Sequence, residues 1–224
     1  MKRFALIILM SVAALSLGAQ TKTFAVLGDS YSTFQGYIPA GNAIWYFDGV
    51  QNKDNDVVKV EQTWWYQLAQ QTGYKLVMND SYSGATIAHT GYRGEDYADR
   101  SFMTRMYNLR NPDIILVFGC TNDSWAGVPI GEYKFENWTN EDLYSYRPAL
   151  AYTLYNMKQL FPDAEIHFIL NSELKESIDV STKTICEFYG INCIELSDNV
   201  HKLAGHPSIA GMKTICEEVL PHVK

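Results

Sequence analysis

Four short polar clusters, each at the end of an apolar stretch or ahead of a helical one, carry the groups that acyl transfer needs. Ser30 stands in Gly28-Asp29-Ser30-Tyr31-Ser32, where the chain must turn out of its first apolar run. A hydroxyl beside a glycine there can face a cleft and approach a carbonyl carbon, although Gly-Asp-Ser by itself is also ordinary turn chemistry. Asn79-Asp80-Ser81-Tyr82-Ser83-Gly84 closes the second run, and Gly84 can turn a backbone N–H inward with no side chain in the way. Gly119-Cys120-Thr121-Asn122-Asp123 closes the third, where Asn122 offers an amide donor. The N–H groups of Ser30 and Gly84, with the Asn122 amide, would meet the oxyanion that forms when a nucleophile adds to a carbonyl. The last cluster, Gly205-His206-Pro207-Ser208, supplies an imidazole, the side chain suited to take a serine proton near neutral pH and return it to a leaving alcohol. A phosphate cradle is excluded, because no second glycine followed by Lys and Ser or Thr occurs.

In this order, the four clusters resemble the four conserved blocks of the SGNH (GDSL-type) hydrolases and span most of the chain. The resemblance implies a flavodoxin-like α/β fold of three layers, α/β/α, around a five-stranded parallel sheet. It also implies Ser30 as nucleophile, Ser30, Gly84 and Asn122 as the oxyanion hole, His206 as base, and no metal or organic cofactor. One position departs from the pattern. The family has an Asp three residues before the histidine, and this chain has Leu203. The third member of a triad orients the imidazole and stabilises its charged form. Its place is left to a Ser–His dyad alone, to a backbone carbonyl, or to a carboxylate from elsewhere, of which Asp198 is the nearest. Asp198-Asn199-Val200-His201 also spells the Asp-x-x-His spacing and makes His201 a rival base. His206 is preferred because Pro207 and the start of a helix fix its surroundings. A zinc site of Asp198, His201 and His206 lacks a fourth ligand cluster.

These groups need a scaffold that brings successive chain turns to one edge. Apolar, β-branched runs at 23–27, 75–79, 113–118, 165–170 and 193–196 alternate with helical spacing at 62–71, 97–109, 144–160, 181–189 and 208–220. That is the pattern of a parallel sheet covered by helices on both faces. Two connections, 33–61 and 124–142, are longer than a turn requires and rich in Gly, Asn and aromatics. Both leave the carboxyl ends of strands, where open α/β sheets place ligands. Trp125 and Tyr31 are the expected substrate contacts.

Composition narrows the class. The first 19 residues, with Lys2, Arg3, an apolar run and a small-residue exit at Gly18 and Ala19, read as a secretory signal peptide. Roughly 205 residues then remain, 20–224, enough for one domain. The expected location is periplasmic or extracellular, without stable membrane insertion. A net charge of −7 with scattered Lys and Arg argues against nucleic acid as a partner. Fifteen Tyr and five Trp, several in the long connections (Trp45, Tyr46, Trp125, Tyr133, Trp138), offer flat faces to sugar rings as well as to the core. Cys120, Cys186, Cys193 and Cys216 permit three full disulfide pairings, with Cys120 expected as a buried thiol. The expected function is an exported esterase acting on a glycan or small-molecule ester, most simply a deacetylase. A lipid or thioester hydrolase and a non-catalytic glycan-binding protein are the alternatives.

Overall fold

Runs such as Ile114-Ile115-Leu116-Val117-Phe118 carry apolar side chains on both faces, so a strand made from them needs a helical layer on each side. The computed structural model, which describes residues 21–224, meets that need. The expected signal peptide at 1–19 lies outside the described residues. Strands β1 (Thr23–Gly28), β2 (Lys75–Ser81), β3 (Ile114–Gly119), β4 (Glu165–Leu170) and β5 (Asn192–Glu195) form one parallel sheet in the order β2-β1-β3-β4-β5. The order reverses between β1 and β3, the place where doubly wound sheets open a crevice.

Alternate residues of each strand feed the two cores. Ala25, Leu27, Ile115, Val117, Phe168 and Leu170 pack with helices α4 (Tyr146–Leu160) and α5 (Glu176–Tyr189). Phe24, Val26, Ile114, Leu116, Ile169 and Ile194 pack with α1 (Trp64–Thr72) and α6 (Ile209–Val223). Each fully buried Leu, Ile, Val or Phe contributes about 1.5–3 kcal/mol, which is why both layers close over the sheet. No helix of the described residues is long and apolar enough to cross a membrane.

Three elements differ from the sequence reading. The helix expected over 97–109 shrinks to α2 (Phe102–Arg105) and a 3-10 turn at Met106–Asn108. Its first residues are claimed elsewhere: Tyr97 N–H donates to His89 O at 2.6 Å, and Asp96 bridges to Thr90. A short helix, α3 (Thr121–Ala126), appears where a loop was expected and carries Asn122 and Trp125. Pro207 does not open the last helix. It pairs with Lys202 in a small antiparallel hairpin, β6 (Lys202–Leu203) and β7 (His206–Pro207), and Ser208 caps α6 through Gly211 N–H.

Candidate active site

Ser30 opens a 3-10 turn directly after β1, with Asp29 as its cap; Asp29 Oδ1 accepts the Tyr31 N–H at 3.0 Å. The turn is possible only because position 28 has no side chain: a Cβ on Gly28 would lie 2.5 Å from Ser81 Oγ and 2.7 Å from Ser32 Cβ. Register pairs Gly28 with Ser81 on one side and with Phe118 on the other, so the ends of β1, β2 and β3 are level. Gly84 follows β2 with φ of 84°, a left-handed conformation that a side chain strains. Asn122 sits in the first turn of α3. Its Nδ2 donates to Ala85 O at 3.0 Å and its Oδ1 accepts from the Tyr92 hydroxyl at 2.8 Å, which fixes the amide's orientation and leaves one N–H for a further acceptor. Asp123, next to it, takes the N–H groups of Ile87 and Ala88 and so ties the segment after Gly84 to α3. Burial pushes the Asp123 and Asp29 carboxyls up to about 7.

His206 arrives from the far end of the chain. Its Nε2 lies 3.0 Å from Ser30 Oγ, and its Nδ1 lies 3.1 Å from the Ala204 carbonyl oxygen. A carbonyl can only accept, so Nδ1 carries the hydrogen and Nε2 is the free base facing the serine. The turn that aims this carbonyl is the hairpin tip, where Ala204 (φ 46°) and Gly205 (φ 77°) both have positive φ, as a two-residue type I′ connection requires. Holding a non-glycine residue there costs about 1–2 kcal/mol, and the surrounding contacts must supply it. They are visible on both sides of His206. Tyr31 Oη donates to Gly205 O at 2.6 Å, and Tyr46 Oη donates to Pro207 O at 2.7 Å. Trp45 stacks on the imidazole with ring centres 3.6 Å apart and planes 10° from parallel, and Trp125 meets it edge-on at 5.9 Å. Burial lowers the His206 pKa to about 4, opposed in part by the bond to Ala204.

Of the residues expected from sequence, Ser30 and His206 come together, with Gly84 and Asn122 on the neighbouring strand ends. Asp198 does not join them: it is exposed, and the imidazole nitrogen it was to orient is taken by Ala204 O. Leu203 pairs directly with His206 in the hairpin. The rival His201 is exposed and bonds Ser208 Oγ at 2.7 Å, beside the α6 cap. Trp125, 45% exposed, lies edge-on to His206. Tyr31 is fully buried, and its hydroxyl is spent on Gly205, so it supports the hairpin instead of touching a substrate. All four cysteines are free thiols, Cys120 among the buried ones. Among the described residues, no three His, Cys, Asp or Glu side chains gather as a metal set. Tyr92, Asp123 and Tyr46 were not anticipated, whereas a backbone carbonyl was one of the three expected orienters and is that of Ala204. Only Tyr46 had a signal, its place beside Trp45 in a long loop following the serine.

The family of GDSL-like lipases and acylhydrolases matches the chain over residues 22–223. Among solved structures, a protein assigned as a GDSL-like lipase from Bacteroides uniformis ATCC 8492 is 53% identical with a TM-score of 0.88, covering 92% of this chain and 96% of its own. Its counterpart from Bacteroides ovatus ATCC 8483 is 52% identical with a TM-score of 0.87, over 89% of this chain and 96% of that one. A family two carbohydrate esterase from Clostridium thermocellum, solved in complex with cellohexaose, is similar in fold, at 15% identity and a TM-score of 0.59 over 91% of this chain and 63% of that one. No curated protein matches the sequence.

Proposed function

Because the chain belongs to the GDSL-like lipase/acylhydrolase family, we propose that it is an exported serine esterase that removes a small acyl group, most simply acetyl, from a carbohydrate. The observation that carries the reading is the 3.0 Å contact between His206 Nε2 and Ser30 Oγ, with Nδ1 engaged by a backbone carbonyl. In the first half-reaction the Ser30 proton passes to His206 Nε2 while Oγ bonds to the ester carbon. The oxyanion rests on the Ser30 and Gly84 N–H groups and the free Asn122 N–H, each such donor being worth about 10²–10³ in rate. Collapse expels the alcohol, which takes the proton from His206 and leaves an acyl-serine. Water then gives its proton to His206 as it adds, and the acid departs as Ser30 is reprotonated.

Two features support a small acyl group and a glycan alcohol. Ser30 is only 2% exposed, so little room surrounds its hydroxyl, whereas the exposed Trp125 beside His206 offers a flat face for a sugar ring. The signal-like residues 1–19 support a substrate outside the cytoplasm. The test is a fluorophosphonate probe together with acetate release from acetylated oligosaccharides. Labelling and turnover should both be lost in Ser30→Ala, by about 10³-fold or more in rate, with the fold intact by circular dichroism. Turnover retained in that variant would defeat the mechanism, and faster release from long-chain esters than from acetylated sugars would move the substrate to lipids.

A further inference from the structure

We propose that Trp45 is a positioning residue for the base, its indole face doing for His206 what a carboxylate does in a full triad: holding the ring in line and stabilising the imidazolium formed when Ser30 gives up its proton. The inference rests on the serine-esterase reading above. Proton transfer creates a cation in a buried place, and something must lower its energy. The Ala204 carbonyl takes one N–H of that cation, but a neutral carbonyl does not offset the charge. What else faces the ring is aromatic: Tyr31 at 5.5 Å, Trp125 edge-on at 5.9 Å, and Trp45 alone face to face at 3.6 Å. Leu203 stands opposite His206 in the hairpin, and none of the imidazole's hydrogen bonds goes to a carboxylate. Among aromatic side chains an indole face is the strongest partner for a desolvated cation, and it attracts the charged imidazole more than the neutral one. That preference for the charged state is what distinguishes catalysis from plain packing.

The stack is built in from both partners. The Trp45 backbone N–H donates to Thr33 Oγ1 at 2.9 Å, and Thr33 Oγ1 in turn donates to Ser30 O at 3.1 Å, so the backbone that carries the indole is tethered to the nucleophile's own turn. Its neighbour Tyr46 holds the histidine's hairpin through Pro207 O. The Trp45 Nε1–H is buried with no acceptor, so the indole contributes its face and not its donor. A phenyl ring at this position therefore removes no hydrogen bond, whereas a leucine keeps apolar cover over the imidazole and removes only the face.

Trp45→Phe and Trp45→Leu in the full-length protein separate these roles. On an activated acetyl ester, Trp45→Phe should lose about threefold in kcat and Trp45→Leu about 10–30-fold, with KM within about threefold in both. His206 imidazole resonances, identified by comparison with His206→Gln, should show the proton bound about tenfold more weakly in Trp45→Leu than in Trp45→Phe. Equal kcat losses, or wild-type kcat in Trp45→Leu, would overturn the proposal. Equal proton affinity in the two variants would overturn it even in a protein that hydrolyses no ester. Failure of wild-type Ser30 to label would instead remove the esterase reading and leave the proton-affinity comparison standing.

Discussion

The two long loops leave the carboxyl ends of neighbouring strands, are both rich in aromatics, and do different work. Residues 33–61 fold back over the end of β2 and over the hairpin that carries His206. Asn42 Nδ2 donates to Asp80 Oδ1 and Ser81 O at the end of β2, and Ala43 O accepts the Ser83 N–H. Trp45 covers His206, Tyr46 holds Pro207 O, and Asp56 Oδ1 accepts the Ile209 N–H at the start of α6. The second loop touches the site only at its root, through Trp125. Beyond it the chain turns outward and lies on α4 and α5: Phe135 stacks on Phe188 at 3.9 Å, Trp138 meets Tyr152 edge-on, and Arg147 N–H donates to Ile130 O. Length and composition thus mark a loop as structured, but the contacts at its far end decide whether the structure serves chemistry.

The largest effect should come from the histidine that the first loop grips. His206→Ala is expected to lower kcat by about 10³-fold or more, because neither the serine proton nor the leaving group then has a partner. His201→Ala should stay within about threefold, since that ring serves only the edge of the α6 cap. Steady-state kinetics on both variants would decide it, and the reverse ranking would transfer the base to His201 and break the contrast between the loops.

A matched pair of variants, one per loop, sharpens the contrast further. Tyr46→Phe leaves the buried Pro207 carbonyl without its donor, which should destabilise the fold by about 1–3 kcal/mol. It should also lower kcat about tenfold, because the hairpin carrying His206 loses one of its two hydroxyl anchors. Phe135→Ala, which removes a half-buried stacked ring, should cost about 2 kcal/mol and leave kcat within twofold. Denaturant titration and kinetics on the same preparations read both quantities. Loss of kcat in Phe135→Ala comparable to that in Tyr46→Phe would show that the second loop also reaches the reaction.

Much of this was legible in the residues. The five strands declare themselves because each is short, apolar and β-branched, and Gly28, Gly84 and Gly119 mark their exits. Ser30, Asn122 and His206 are readable because side-chain chemistry is tied to residue type. What failed were features decided by contacts distant in sequence or by the backbone. The helix over 97–109 was lost to hydrogen bonds with residues 89 and 90, which no local spacing displays. Tyr31 looked available because it neighbours Ser30, yet its partner, Gly205, lies at the other end of the chain. The orienting group of His206 was legible only as one of three options, a backbone carbonyl: every residue carries one, and the residue that supplies it is set by a strained turn at Ala204 and Gly205.

That backbone orienter gives the smallest and most diagnostic expectation. A carboxylate on Nδ1 would stabilise the imidazolium and raise its pKa; here burial lowers it, and the hydrogen bond to the Ala204 carbonyl opposes that only in part. In the resting protein burial dominates and His206 sits at about 4, below its ordinary 6.5. The base must be neutral to act, so lowering the pKa keeps it active as pH falls. The acid limb of kcat/KM should therefore lie nearer pH 4 than 6.5, provided the fold holds there. Asp198→Asn should leave both the limb and the rate unchanged within twofold, because that carboxylate is exposed and makes no hydrogen bond to the ring. An acid limb near 6.5 that moves down in Asp198→Asn would restore Asp198 as the third member of a triad. It would also mean that the hairpin rearranges when substrate binds, so that the first loop's grip on His206 describes only the resting state.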